Sequence, residues 1–359
     1  MIFYWKGRLM KLLLFVTGRG IGGDALLAFN IMEYLKQEGI DSEIVLDPSA
    51  PGYYFKKRNI SWLQSPIPNA GGHAASKMKL LKAGIKATLA SMKGASLIRK
   101  EGADGVIGVI GGGAIIGSLS AKLARVPDVS LVSTPTDTKI SLKLNPTLIL
   151  PESPLYLNSN PTSKYDFKKQ YFPINLNITQ GNKNNILDKL PSQFDDAKPS
   201  ILFASGSTLF DGMAQAARKF AEENDDYNIF VIGDPLKEQL NEVIDYPNII
   251  NLGYINYIAD LYDLVDLAVI TDDGLTLHET IACQIPVVVV LGVKYGRYHN
   301  LASVFEGAVL ESGVDNITEV VKDAFDSKDS MKEAAKKYSV DILDAPYELC
   351  EFIKKHMKK

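Results

Sequence analysis

Residues 267–292 read LAVITDDGLTLHETIACQIPVVVVLG. Leu267–Thr271 is an apolar, partly β-branched run of strand length, and Pro286–Gly292 is a second. Between them Thr276–Cys283 reads as a helix, opened by Asp272, Asp273 and Gly274. Strand, tight turn, helix and fully apolar strand make a βαβ unit, whose two strands lie parallel in one covered sheet.

Working outward, the rhythm repeats. Strands are expected at Ser200–Ala204, Asn228–Gly233 and Ile249–Leu252, and helices at Asp211–Asn224, Leu236–Val243 and Asn316–Phe325. In the first half, Lys11–Thr17, Ser42–Leu46, Gly105–Ile110, Val129–Ser133 and Thr147–Leu150 read as strands. Ala25–Glu38 and Ser118–Ala124 read as helices between them. The pattern lapses over Asn158–Lys198, rich in Asn, Lys, Pro and Gln. Two α/β domains with a cleft between them are therefore expected. Residues 10–175 form the first, 176–198 a linker and 199–342 the second. The final helix, within 343–359, packs back on the first.

The 359 residues suit two domains, and 46% hydrophobic with 23% charged residues is the composition of a well-cored chain. No apolar run approaches the ~18–20 residues of a membrane span. Lys6, Arg8 and Lys11 precede Leu12–Val16, but that run is too short for a secretory signal. Cys283 and Cys350 are the only cysteines, which excludes a disulfide framework and a thiolate metal cage and suits a reducing cytoplasm. Net charge is −3, yet Pro48–Lys100 has no Asp or Glu and ten Lys or Arg. Such a block suggests an anionic partner for this stretch, against the plainer reading of a solvated surface.

Three strands end in small residues: Thr17 to Asp24, including Gly20, Gly22 and Gly23; Gly111, Gly112 and Gly113; and Ser205, Gly206 and Ser207. Glycine lets backbone approach a ligand, and a following helix offers N–H groups and its positive end to anions. None is a Walker loop, and the first departs from the dinucleotide fingerprint. Asp24 at its exit suits proton abstraction; the competing reading is a helix cap. In the opening stretch, Gly274, Leu275 and Thr276 put N–H groups at a helix start, and Glu279 follows one turn later on the same side. A carboxylate there can take two hydrogen bonds from a ribose diol while the helix end holds a phosphate. The plainer alternative is a capped helix with a solvated Glu.

This stretch resembles the donor site of MurG-like glycosyltransferases (family 28, GT-B fold). The family's Gly-Ala-Leu-Thr-x-x-Glu start is similar to Gly274-Leu275-Thr276-Leu277-His278-Glu279. Its small-residue-Pro strand, Asn-Ala segment and Gly-Ala pair are similar to Ile285-Pro286, Asn300-Leu301-Ala302 and Gly307-Ala308. The three glycine loops fall where the family has its own, and Tyr254-Ile255 resembles the pair that holds uracil. The resemblance implies two Rossmann-like domains with parallel sheets facing across a cleft. It implies a UDP-sugar donor with Glu279 on the ribose, Tyr254 and Ile255 on the uracil, and the diphosphate at Ser205–Ser207 and Gly274–Thr276. Asp24 would be the general base of an inverting transfer, and no protein-bound metal is expected.

The departures bear on the acceptor and the sugar. Asp24 stands for the family's His, and Gly296 and Arg297 stand for its Gln pair. Arg297 suits a carboxylate, so a uronic sugar is considered beside an N-acetylhexosamine. The implied product is a cell-wall polymer of peptidoglycan or pseudomurein type, or a glycolipid. Two other classes are weighed: a UDP-GlcNAc 2-epimerase-like isomerase, whose Gly-Thr-Arg-Pro-Glu loop Gly18–Asp24 does not match, and a non-catalytic nucleotide-sugar-binding subunit. On a helix over Ala74–Lys100, Met78, Leu81, Ile85, Leu89, Met92 and Ser96 form a stripe with Lys79, Lys82, Lys86 and Lys93 along its edge. A core stripe is the commoner reading. The lysine edge instead favours an anionic membrane surface carrying a lipid-linked acceptor, at the inner face of the cell membrane.

Overall fold

The computed structural model describes residues 4–5, 8–17, 22–68, 77–157, 164–294 and 301–358, without the side chains of residues 4, 5, 8 and 77–83. It divides into two compact units, Met1–Pro173 with Ala345–Lys359, and Ile174–Asp344.

The first unit holds seven parallel strands: β1 (Lys11–Val16), β2 (Asp41–Leu46), β3 (Trp62–Gln64), β4 (Gly105–Val109), β5 (Asp128–Val132), β6 (Thr147–Ile149) and β7 (Phe167–Lys169). Their order is β3-β2-β1-β4-β5-β6-β7. Leu12 to Val16 are wholly buried, as an unbroken apolar run requires when both faces of a central strand are covered. Helices α1 (Gly23–Gln37), α2 (Lys77–Lys100), α3 (Gly111–Ala124) and α4 (Pro135–Ser141) lie between these strands in the chain. The chain turns back between β1 and β4, so the loops leaving those two strands are neighbours.

The second unit repeats the plan with six parallel strands: β8 (Ser200–Leu209), β9 (Asn228–Pro235), β10 (Ile249–Gly253), β11 (Leu267–Thr271), β12 (Val287–Val290) and β13 (Val309–Ser312). The order β10-β9-β8-β11-β12-β13 makes β8 and β11 the reversal point. Helices α5 (Asp211–Glu223), α6 (Ile258–Tyr262), α7 (Gly274–Ala282) and α8 (Ile317–Asp326) belong to this unit. Phe203, Phe220, Met213, Val231, Val269 and Val288 lie in its buried core. Residues 176–198 carry short 3-10 turns held to this unit. The Asn182 and Lys183 N–H groups donate to the Asp260 and Asp263 carboxylates at 2.8 and 3.0 Å.

Several elements differ from the sequence reading, each for a local reason. Helix α3 begins at Gly111 and not near Ser118, so the second glycine group is its first turn. Strand β8 runs to Leu209 because pairing with β9 resumes after a register shift between Ala204 and Thr208. The expected helix over Leu236–Val243 narrows to Leu240–Ile244. Strands β3 and β7 are three-residue edge strands, too short for a periodic signal. Helix α4 is fixed by a capping box between Thr134 and Asp137. The last helix, α9, spans Lys328–Met357 with Pro346 inside it. Its final turns join the first unit: the Gln170 side-chain amide donates to Ala345 O at 2.8 Å, and Lys354 Nζ pairs with Glu38 at 2.6 Å.

Helix α2 runs through Gly84 and Gly94 without a break. Its inner face is Ala90, Ser91, Gly94, Ala95 and Ile98, all buried. The stripe Ile85, Leu89, Met92 faces outward, at 55%, 57% and 58% exposure, so it is not core. The cause is close helix packing: a Cβ on Gly94 would overlap the Ser120 hydroxyl of α3, whereas one on Gly84 would meet nothing within 4 Å. Gly84→Ala should therefore stabilise by roughly 0.5–1 kcal/mol through helix propensity. Gly94→Ala should destabilise by about 1–3 kcal/mol through overpacking. Chemical denaturation of both variants checks this packing, and shifts of the same sign would contradict it.

Candidate functional site

In a parallel sheet the carboxyl ends of all strands share one edge, and ligands bind there, at the reversal of strand order. In the second unit this brings the end of β8 beside the turn from β11 into α7. The β8 end is a bulge. Buried Ser205 donates its hydroxyl to Thr208 O at 2.8 Å and accepts from Phe210 N at 3.0 Å. Gly206 has φ +88°, and Ser207 is exposed. Gly233 on β9, at φ +107°, makes room for this bulge: a Cβ there would sit 2.9 Å from Leu209 N.

Asp273 is the N-cap of α7 in extended conformation, yet its side chain makes no capping hydrogen bond. Its carboxylate accepts from Thr271 Oγ1 at 3.1 Å and pairs with Lys294 Nζ at 2.5 Å. Lys294, in the turn after β12, also lies 3.5 Å from where a Cβ on Gly206 would be. One ammonium thus stands between the β8 bulge and the α7 start. Sequence reasoning missed Lys294, a solitary lysine after an apolar strand with no motif to mark it. Neighbouring Asp272 is buried and accepts from Leu301 N at 3.3 Å.

Glu279 sits in the second turn of α7, half-buried; its carbonyl accepts from Cys283 N at 3.1 Å, but among the described residues nothing donates to its carboxyl. Desolvation pushes its pKa up to about 7. Two neighbours respond to its charge: burial and then Glu279 raise the Tyr262 phenol, and the same two causes, joined by Asp263, push Cys283 up to about 12. Beside it, His278 is wholly buried, with Nδ1 2.7 Å from Gly274 O and its ring edge-on to Phe305. Burial lowers His278 to about 4, so the imidazole is neutral, and a carbonyl partner places the proton on Nδ1. Gly274 and Leu275 are buried, and Thr276, half-buried, accepts from Thr280 Oγ1 at its carbonyl, 2.6 Å away. Exposed Tyr254 and half-buried Ile255 follow β10 at the same sheet edge.

In the first unit, the Gly112 N–H donates to Thr17 Oγ1 at 3.2 Å, which ties the loops after β1 and β4 together. Gly111 N–H donates to Asp137 Oδ2 at 2.6 Å. Asp137 is fully buried and also accepts from Thr134 N at 2.9 Å; desolvation still raises its pKa. A Cβ on Gly112 would press on Pro68 O, and one on Gly113 on the backbone of Phe15 and Thr17. These glycines thus serve chain packing, and the Gly111 and Gly112 donors are taken up inside the protein. The first loop is different. A Cβ on Gly22 or Gly23 would meet nothing within 4 Å. Gly22 is the N-cap of α1, so Asp24 is not the cap residue; it stands half-buried within the first turn.

Gly20, Gly296, Arg297 and Asn300 lie outside the described residues, as do the side chains of Lys79 and Lys82. Part of the basic block is used in packing: the Arg58 guanidinium lies 3.9 Å from the Tyr54 ring centre, and Arg99 donates to Leu123 O. Lys86 and Lys93 are exposed beside the α2 stripe. Among the described residues no cluster of three His, Cys, Asp or Glu could hold a metal, and no helix is long and apolar enough to cross a membrane.

No family model and no curated protein matches this chain. Solved structures do. MurG from Acinetobacter baumannii is similar at TM-score 0.64 and 17% identity, over 97% of this chain and 99% of that one. A putative UDP-N-acetylglucosamine 2-epimerase from Listeria monocytogenes is similar at TM-score 0.66 and 15% identity, over 98% and 97%. HepE from Anabaena, in complex with UDP and glucose, is similar at TM-score 0.61 and 15% identity, over 96% and 100%. At these identities the likeness establishes architecture: the two parallel α/β sheets, of seven and six strands, are those of the GT-B fold.

Proposed function

We propose that this protein is an inverting glycosyltransferase that moves a sugar from a UDP-sugar to a lipid-linked acceptor at the inner face of the cell membrane. The observation that carries the reading is Glu279. A desolvated carboxyl with no donor among the described residues is costly. It becomes favourable when a ligand brings two hydroxyls, as a ribose does. The α7 start and the β8 bulge, at the reversal point of the same sheet, are where the diphosphate would lie, with Tyr254 and Ile255 available to the uracil. HepE, similar in fold, is described with UDP and glucose bound.

In this reading Asp24 removes the proton from the acceptor hydroxyl as its oxygen bonds to the anomeric carbon. The bond from that carbon to the diphosphate breaks, and UDP carries away the electron pair. The donor is an N-acetylhexosamine or a related uronic sugar, and the product belongs to a cell-wall polymer or a glycolipid. The exposed stripe Ile85, Leu89, Met92, edged by Lys86 and Lys93, suits an anionic lipid surface: apolar side chains enter the interface while ammonium heads meet phosphates. A second reading, an epimerase acting on UDP-N-acetylglucosamine, is supported by the Listeria neighbour. An assay with a UDP-sugar and a lipid-linked acceptor separates the two. The transferase releases UDP in step with acceptor glycosylation, and the epimerase changes the free donor sugar instead.

Glu279→Ala should weaken UDP binding by roughly 1.5–3 kcal/mol, read by calorimetry; affinity equal to wild type would remove the donor-site assignment. The stability effect has a definite sign. Because the folded pKa is raised, the folded state holds its proton where the unfolded chain has lost it, and stability falls as pH climbs from 4.5 to about 7. Glu279→Gln should therefore raise the melting temperature of the empty protein at pH 8, by up to about 3 kcal/mol in stability, and give no gain at pH 4. Asp24→Asn should cost ~10²–10⁴ in turnover with UDP binding intact; normal turnover would return Asp24 to a helix-start residue. Binding to anionic liposomes should be salt-sensitive and lost on changing Lys79, Lys82, Lys86 and Lys93 to Glu, at about 1 kcal/mol per residue. Equal sedimentation of wild type and quadruple variant would overturn it.

A further inference from the structure

We infer that Lys294 is the cation that receives the diphosphate of the donor nucleotide, and that Asp273 holds it in place until the nucleotide arrives. This inference rests on the UDP-sugar reading above and names the residue which supplies its charge. The geometry has three parts. Lys294 Nζ is 2.5 Å from Asp273 Oδ2, at the start of α7. It approaches Gly206 so closely that a Cβ there would be in contact, at 3.5 Å. It stands 5.8 Å from the Phe210 ring centre, at the far end of the same bulge. The ammonium is therefore held between two chain segments that meet where strand order reverses.

The pairing changes what Asp273 does. An Asp at the N-cap ordinarily turns its carboxylate onto the N–H groups of the first turn. Here the carboxylate is drawn aside by Lys294 and by the Thr271 hydroxyl, and makes no capping hydrogen bond. The ion pair thus keeps the resident anion off the helix end and keeps the cation beside it. A diphosphate entering between the α7 start and the Gly206 backbone would meet both the helix end and the ammonium. With two negative charges it outcompetes a single carboxylate for a group that has three N–H donors. Glycine at position 206 leaves that approach unobstructed. A lysine placed only to stabilise the turn would need Asp273 alone and would gain nothing from the open side.

The experiment compares UDP with uridine, which shares the base and ribose but lacks phosphate, by calorimetry on the full chain. Wild type should bind UDP more tightly than uridine. Lys294→Met should lower UDP affinity at least tenfold and leave uridine affinity unchanged, so the ratio between them collapses. Lys294→Gln decides by the same ratio should the Met variant fold poorly. Asp273→Asn, which frees the ammonium, should keep the ratio at or above that of wild type. An unchanged ratio in the Lys294 variants overturns the inference, and so does a ratio lost equally in Asp273→Asn, since that marks a purely structural ion pair. Failure of wild type to bind either compound is a separate result: it removes the UDP-sugar reading itself.

Discussion

The parallel pairing of every strand in the seven-stranded and six-stranded sheets is the constraint from which the rest follows. Parallel strands need crossover connections, most of them helical here, so the loops and helix starts that follow the strands share one edge. Where strand order reverses, two of those edges open side by side. In the second unit the reversal falls between β8 and β11, and it sets the Gly206 bulge beside Asp273 and Gly274. In the first unit it falls between β1 and β4 and sets Thr17 against Gly112. Neither pair is near in sequence. Both are consequences of register and topology.

The two reversal points are finished differently. In the first unit, Asp137 fills the space after β4, and its carboxylate takes the Gly111 N–H donor. In the second unit, the carboxylate nearest the helix start is held aside by Lys294, and the Glu279 carboxyl is left desolvated with no donor among the described residues. Desolvating a carboxylate is expensive, and groups perturbed in this way concentrate at functional sites. The second unit therefore carries the stronger physical signature of a ligand site, and the first offers the open surroundings of Gly22 and Gly23.

Much of this was legible in the sequence. Continuous apolar runs closed by turn residues gave β1, β4, β11 and β12, because strands covered on both faces admit few polar residues. The helix start at Gly274 and the place of Glu279 followed from spacing along one chain segment. What escaped depended on neighbours distant in sequence. Gly111 to Gly113 read as a ligand loop, yet their small size answers to Phe15, Thr17 and Pro68. The α2 stripe could be core or surface on periodicity alone; Gly94 against Ser120 decides which face turns in. Lys294 had no motif at all, and only the fold shows what it touches.

The central claim is that Glu279 waits for donors that a nucleotide ribose brings. Calorimetry of UDP binding at pH 7 in buffers of different ionisation enthalpy tests it directly, because a carboxyl with a pKa of about 7 is then near half protonated. The account predicts that wild type releases a fraction of a proton more per UDP bound than Glu279→Gln does, the terminal phosphate of UDP contributing equally to both. Equal proton release by wild type and Glu279→Gln would contradict it.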